Sequence, residues 1–114
     1  MHIELIEYKI ISEKYIIVDK EGKGKEYSLT NNELVFEGKY FNGKRNGKGI
    51  EYYDNGNIKF EGEYLNGKRN GKGIKNYKNG KLKYKGDYLN GKKWNGKIYD
   101  CFNKKYKLKI IFIY

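Results

Sequence analysis

The sequence predicts an all-β fold: an elongated, single-layer antiparallel meander of tandem hairpins. Three observations lead there. The 114 residues include 13 Tyr, 13 Ile and 15 Gly, but no Ala, Gln or Pro. Helical domains use Ala and Gln freely, whereas Tyr and Ile suit a pleated surface. A motif returns with a period of 24 residues, as FEGKYFNGKRNGKGIEYYDNGNIK from Phe36 and FEGEYLNGKRNGKGIKNYKNGKLK from Phe60. Asn-Gly pairs recur between strand-like runs, which is the strongest short-range hairpin signal.

In chain order, residues 1–35 hold N-terminal strands that break the pattern, with Ile10-Ile11 and Tyr15-Ile16-Ile17-Val18 as strand-like cores. GKGKEYSLTNNELV at 22–35 reads as a degenerate half-repeat. Three repeats follow, at 36–59, 60–83 and 84–104. Within each, a segment such as Phe60-Glu61-Gly62-Glu63-Tyr64 alternates with the period of a strand. Phe36, Gly38 and Tyr40, Phe60, Gly62 and Tyr64, and Tyr84, Gly86 and Tyr88 therefore form the repeat core. A glycine between two aromatics leaves room for a neighbouring ring over the backbone. NGKRNG at 66–71 reads as a polar loop, a second strand runs from about Gly71 to Tyr77, and Asn79-Gly80 predicts a type I′ turn, as does Asn55-Gly56. In the third copy the pattern slips at Trp94, which puts Gly96 in the role of Gly71. The apolar strand at 105–114 ends in Ile111-Phe112-Ile113-Tyr114 and is expected to be buried, by folding over the aromatic face or by edge pairing in a homodimer.

These residues resemble the MORN repeat family (membrane occupation and recognition nexus). The family pattern is aromatic-Glu-Gly-acidic-aromatic-x-Asn-Gly-x-x-x-Gly-x-Gly. Residues 60–73 match throughout, and 36–49 match except at Lys39. Residues 84–96 match the first half, and Tyr40, Tyr64 and Tyr88 stand where Trp is commoner. The resemblance implies a twisted single-layer sheet that binds or scaffolds rather than catalyses. It carries over no lipid-binding residue.

The residues themselves exclude much chemistry. A single Cys101 and a single His2 leave no disulfide framework, no Cys-rich zinc site and no His-based acid–base set. No cofactor or metal site is expected, and no enzyme activity. Gly38, Gly43 and Lys44 have P-loop spacing, repeated at Gly62, Gly67 and Lys68 and at Gly86, Gly91 and Lys92. A P-loop needs Ser or Thr next and then a helix. Arg45, Arg69 and Lys93 stand there instead, so these glycines serve turns and packing. No apolar run approaches the roughly 18 residues of a spanning helix, and no basic-then-apolar leader is present. The expected location is intracellular, cytoplasmic or membrane-peripheral.

Charge singles out the turns. Residues 1–35 carry five Lys and seven acidic residues, for −2, and 36–114 carry twenty basic and seven acidic residues, for +13. Lys44 and Arg45, Lys68 and Arg69, and Lys92 and Lys93 occupy the same loop of successive hairpins. They are expected to form a cationic row along one edge, suited to an acidic protein or to lipid headgroups. The bland reading is a set of solvated turns whose lysines reflect A/T-rich codons. Nucleic acid is set aside, because the aromatics that could stack on bases are needed for packing. Glu61 and Glu63 share a strand face and suit cross-strand lysines. The reading is a non-catalytic scaffold for a protein partner. The alternatives are a peripheral adaptor on acidic phospholipids and a regulatory repeat segment of a larger protein.

Overall fold

The computed structural model describes residues 6–11, 13–100, 102 and 104–109, with side chains from residue 13 onward. His2, Cys101 and residues 110–114 lie outside the described residues, as do the side chains of Ile10 and Ile11. Ten strands among the described residues form one antiparallel sheet in chain order. They are β1 Ile6–Ile11, β2 Lys14–Asp19, β3 Lys23–Ser28, β4 Leu34–Phe41, β5 Lys44–Tyr52, β6 Ile58–Leu65, β7 Lys68–Asn76, β8 Leu82–Leu89, β9 Lys92–Tyr99 and β10 Lys105–Lys109. The sheet measures 55 × 35 × 24 Å.

Two turn types alternate, and they fall differently from the expectation. Asn66 and Gly67 both have positive φ, 50° and 85°, which makes a two-residue type I′ link between β6 and β7. Strand β7 therefore begins at Lys68, not Gly71, and the six-residue loop does not exist. Asn42-Gly43 and Asn90-Gly91 repeat this turn. At the other end, Tyr53 N–H donates to the Asn57 carbonyl at 2.8 Å and Gly56 N–H to the Tyr53 carbonyl at 3.0 Å. Only Gly56 of the Asn55-Gly56 pair has positive φ. The loop is thus three residues long with a left-handed glycine at its end, rather than type I′.

A row of glycines crosses the sheet. Gly24, Gly38, Gly49, Gly62, Gly73, Gly86 and Gly96 face one another on seven successive strands. Aromatic rings lie over this row. A Cβ on Gly73 would meet Phe60 Cε1 at 2.5 Å and Tyr88 Cε2 at 3.0 Å, so one ring comes from each neighbouring strand. The rings form a continuous edge-to-face chain: Phe36–Tyr64 at 5.2 Å, Phe60–Tyr64 at 5.5 Å, Phe60–Tyr88 at 5.1 Å and Tyr84–Tyr88 at 5.3 Å. Phe36, Phe60 and Tyr84 are fully buried, and Tyr40, Tyr64 and Tyr88 nearly so. This chain is the core of the one-layer fold.

Both ends of the row close with aliphatic residues. Val18 faces Gly24, and Leu108 faces Gly96. In the third hairpin Gly96 pairs with Gly86, as Gly73 pairs with Gly62. Gly96 thus has the role of Gly73, not Gly71. The reason is a bulge. Asn70, Gly71 and Lys72 oppose Glu63 alone, and Gly71 has φ 103°. In β9 only Trp94 and Asn95 fill that gap, so one residue is missing and no positive-φ glycine is needed. Strand β10 continues the sheet beside β9. Residues 105–109 therefore do not fold over the aromatic face. Leu108 is half-buried, and Tyr106 is exposed.

Candidate functional site

The aromatic face is sealed by charge. Because β5 and β7 begin right after their turns, alternation sends Arg45 and Arg69 onto the rings while Lys44 and Lys68 stay in solvent. The Arg45 guanidinium lies 3.9 Å from the Phe36 ring centroid, and that of Arg69 lies 4.3 Å from Phe60. Planar guanidinium groups stack on aromatic faces in this way. Lys93 holds the third position, 5.1 Å from the Tyr84 centroid. The expected edge row of paired cations is thereby corrected. Arg45, Arg69 and Lys93 are half-buried against the rings, and of the six only Lys44, Lys68 and Lys92 are exposed at the edge.

A carboxylate completes each of the first two units. Glu26, 2% exposed, accepts bidentate bonds from Arg45 at 2.7 and 2.9 Å, a bond from the Tyr40 hydroxyl, and a contact from Lys14 at 2.8 Å. Glu51 accepts from the Tyr64 hydroxyl at 2.5 Å and from Arg69 at 2.8 Å, with Arg45 at 4.0 Å. The charges alternate along the face as Lys14, Glu26, Arg45, Glu51, Arg69. Burial raises the Glu26 pKa, but bonds from Arg45, Lys14 and Tyr40 outweigh it and bring it down to about 2. Burial and Glu51 push the Tyr64 hydroxyl far above its ordinary value.

Register places Lys75 where Glu26 and Glu51 stand. Glu26 faces Phe36, Glu51 faces Phe60, and Lys75 faces Tyr84. The repeat pattern does not mark these positions as a site. Laying EYYDNG over KNYKNG at the 24-residue period would have exposed them, since Glu51 then falls on Lys75.

The opposite face is open. A groove of about 950 Å³ runs across its middle, lined by Ile17, Lys25, Glu37, Ile50, Glu61 and Ile74 among others. These six are consecutive cross-strand neighbours in one row. Past Ile74 the row continues as Lys85, Lys97 and Lys107. Glu63 faces Lys48 and accepts the Lys72 backbone N–H at 2.6 Å, and Lys72 pairs with Asp87 at 2.5 Å. Glu61 faces isoleucines rather than lysines. Glycines of the row form the floor of the groove.

The turn edge is a second exposed surface. Gly67 N–H donates to the Arg45 carbonyl and Gly91 N–H to that of Arg69, so the type I′ turns stack. Phe41, Leu65 and Leu89 are 66%, 50% and 44% exposed. They pair directly with Lys44, Lys68 and Lys92. Apolar and cationic residues thus alternate along this edge, about 10 Å per hairpin.

Among the described residues no group of three or more His, Cys, Asp or Glu side chains could hold a metal ion. The family model of the MORN repeat matches the chain at residues 36–58 and 60–81. The third hairpin and both ends lie outside these matches. No curated protein sequence matches the chain.

Proposed function

The chain carries MORN repeats over residues 36–58 and 60–81, and from that premise we propose that it is a non-catalytic interaction module that docks a protein partner in the groove of its open face. MORN repeats are a non-catalytic repeat type known in protein- and membrane-interaction modules. The groove supports the protein reading. Ile17, Ile50 and Ile74 supply apolar contact, while Lys25, Glu37 and Glu61 between them offer both signs of charge. A mixed lining suits a polypeptide better than a uniformly anionic membrane, because each sign finds an opposite partner. Over its first two units the aromatic face is covered by Arg45 and Arg69.

The turn edge favours a second reading, a peripheral adaptor on acidic phospholipids. Phe41, Leu65 and Leu89 beside Lys44, Lys68 and Lys92 combine apolar insertion with attraction to anionic headgroups. One pair of variants separates the two. Ile50→Asp/Ile74→Asp alters the groove, and Lys68→Glu/Lys92→Glu alters the edge. The expected result is a protein captured from source cells by the native chain and the edge variant but lost with the groove variant. Capture insensitive to the groove variant would refute groove docking. Pelleting with acidic liposomes that salt and the edge variant abolish would install the membrane reading.

A further inference from the structure

The third unit of the aromatic face is built like the first two but lacks its carboxylate. In the first, Glu26 joins the Tyr40 hydroxyl to Arg45. In the second, Glu51 joins the Tyr64 hydroxyl to Arg69. In the third, the same register brings together Tyr88, Lys93 and Lys75. Tyr88 is 2% exposed. Its hydroxyl is sealed from solvent and has no hydrogen-bond partner among the described residues. A buried hydroxyl without a partner is costly, and such groups are normally satisfied. Arg69 is the nearest cation, and its charge acts on the hydroxyl, but its Nε–H goes to Glu51 and no contact from it to the Tyr88 hydroxyl meets hydrogen-bond geometry.

The charge pattern fails at the same place. The alternation Lys14, Glu26, Arg45, Glu51, Arg69 calls for an anion next, and Lys75 is a cation. We propose that the Tyr88, Lys75 and Lys93 end of the aromatic face binds a carboxylate from outside the chain, in the place that Glu26 and Glu51 fill in the units before it. Burial, then the neighbouring cations Lys83, Arg69, Lys93 and Lys59, hold the Lys75 pKa down at about 8. A bound anion relieves that repulsion. Lys75 and Lys93 are half-buried, long and flexible, so they can turn aside to admit a carboxylate and then close on it. A carboxylate suits the place better than a bulkier anion, because the equivalent space in the first two units holds one. This site lies on the face opposite the groove and is independent of groove docking.

The test titrates the full chain with sodium acetate against sodium chloride at equal ionic strength, followed by amide NMR and thermal melting. The expected result is saturable shifts at Lys75, Tyr88 and Lys93 with acetate alone. A hexaglutamate peptide distinguishes the sources. Tighter binding of the peptide than of acetate assigns the carboxylate to a partner's acidic side chain, and the reverse assigns it to a free small acid. Lys75→Glu supplies the carboxylate internally. It should melt higher than the native chain by roughly 5 °C, as a regained charged hydrogen bond implies, and lose the acetate response. Tyr88→Phe keeps the ring and removes only the buried hydroxyl. It should weaken acetate binding at least about fivefold, the scale of one lost hydrogen bond. Native acetate response in both variants, or equal shifts with acetate and chloride, overturns the proposal.

Discussion

Replacing Gly62 tests the packing that holds the one-layer fold together. A Cβ at this position would lie 2.5 Å from the Lys72 carbonyl oxygen, 2.7 Å from Gly73 Cα and 2.8 Å from Phe60 Cζ. Ordinary carbon contacts lie at about 3.5–4.0 Å, so the shortfall is close to 1 Å on three sides. Two of the three obstacles are backbone, so no rotamer change relieves them, and β6 must move from β7. Overpacking of this kind costs about 1–3 kcal/mol. The smaller unfolded-state entropy of alanine returns roughly 0.4–1 kcal/mol. A net loss of about 1–2 kcal/mol is expected for Gly62→Ala, and more for Gly62→Val, whose branches enter the Phe60 ring. Unfolding entropy of about 2.1 cal/mol/K per residue over 114 residues gives roughly 4 °C per kcal/mol. Gly62→Ala should therefore melt about 4–8 °C below the native chain by far-UV circular dichroism. Lys68→Ala is the control, an exposed change worth within about 0.5 kcal/mol, or 2 °C. Equal melting temperatures for Gly62→Val and Lys68→Ala would refute the glycine row as the seat of packing.

Three further outcomes are expected. Arg45→Ala leaves Glu26, 2% exposed, with Lys14 as the one cation still paired to it among the described residues, and should cost about 3 kcal/mol; urea denaturation showing under 1 kcal/mol would contradict a buried pair. Glu26 ionises near 2 when folded, against 4.5 ordinarily, so its contribution is complete above pH 4.5 and is lost as pH falls towards 2, by at most about 3 kcal/mol. Acid titration of Glu26→Gln should show a shallower loss of stability across that window, and an unchanged slope would remove Glu26 as its source. A chain ending at Lys104 loses β10 and the half-buried Leu108 over Gly96, and should melt roughly 4–8 °C earlier for a loss of about 1–2 kcal/mol; an unshifted melt would mean that β10 adds no packing.

The sequence by itself determined the strand order, the hairpin meander and the aromatic core. Strand alternation has a period of two and hairpin turns have few allowed lengths, so Phe60, Gly62 and Tyr64 face one way once the run is a strand. The 24-residue period then repeats that placement, and neighbours in sequence become neighbours in space. What the sequence left undetermined depends on register across strands. Whether Arg69 belongs to a loop or to the core turns on a link of two residues rather than six, and only the positive φ of Asn66 fixes it. A one-residue difference sends the side chain to the other face. The role of Gly96 likewise depends on a bulge that β9 lacks. The Glu26 site joins residues from four strands and the Glu51 site from three, and only the tertiary structure brings them to hydrogen-bonding distance. The same is true of Tyr88: it is an ordinary tyrosine in the sequence, and its buried hydroxyl is left unpaired because Lys75, facing Tyr84, stands where Glu26 and Glu51 stand in the units before it.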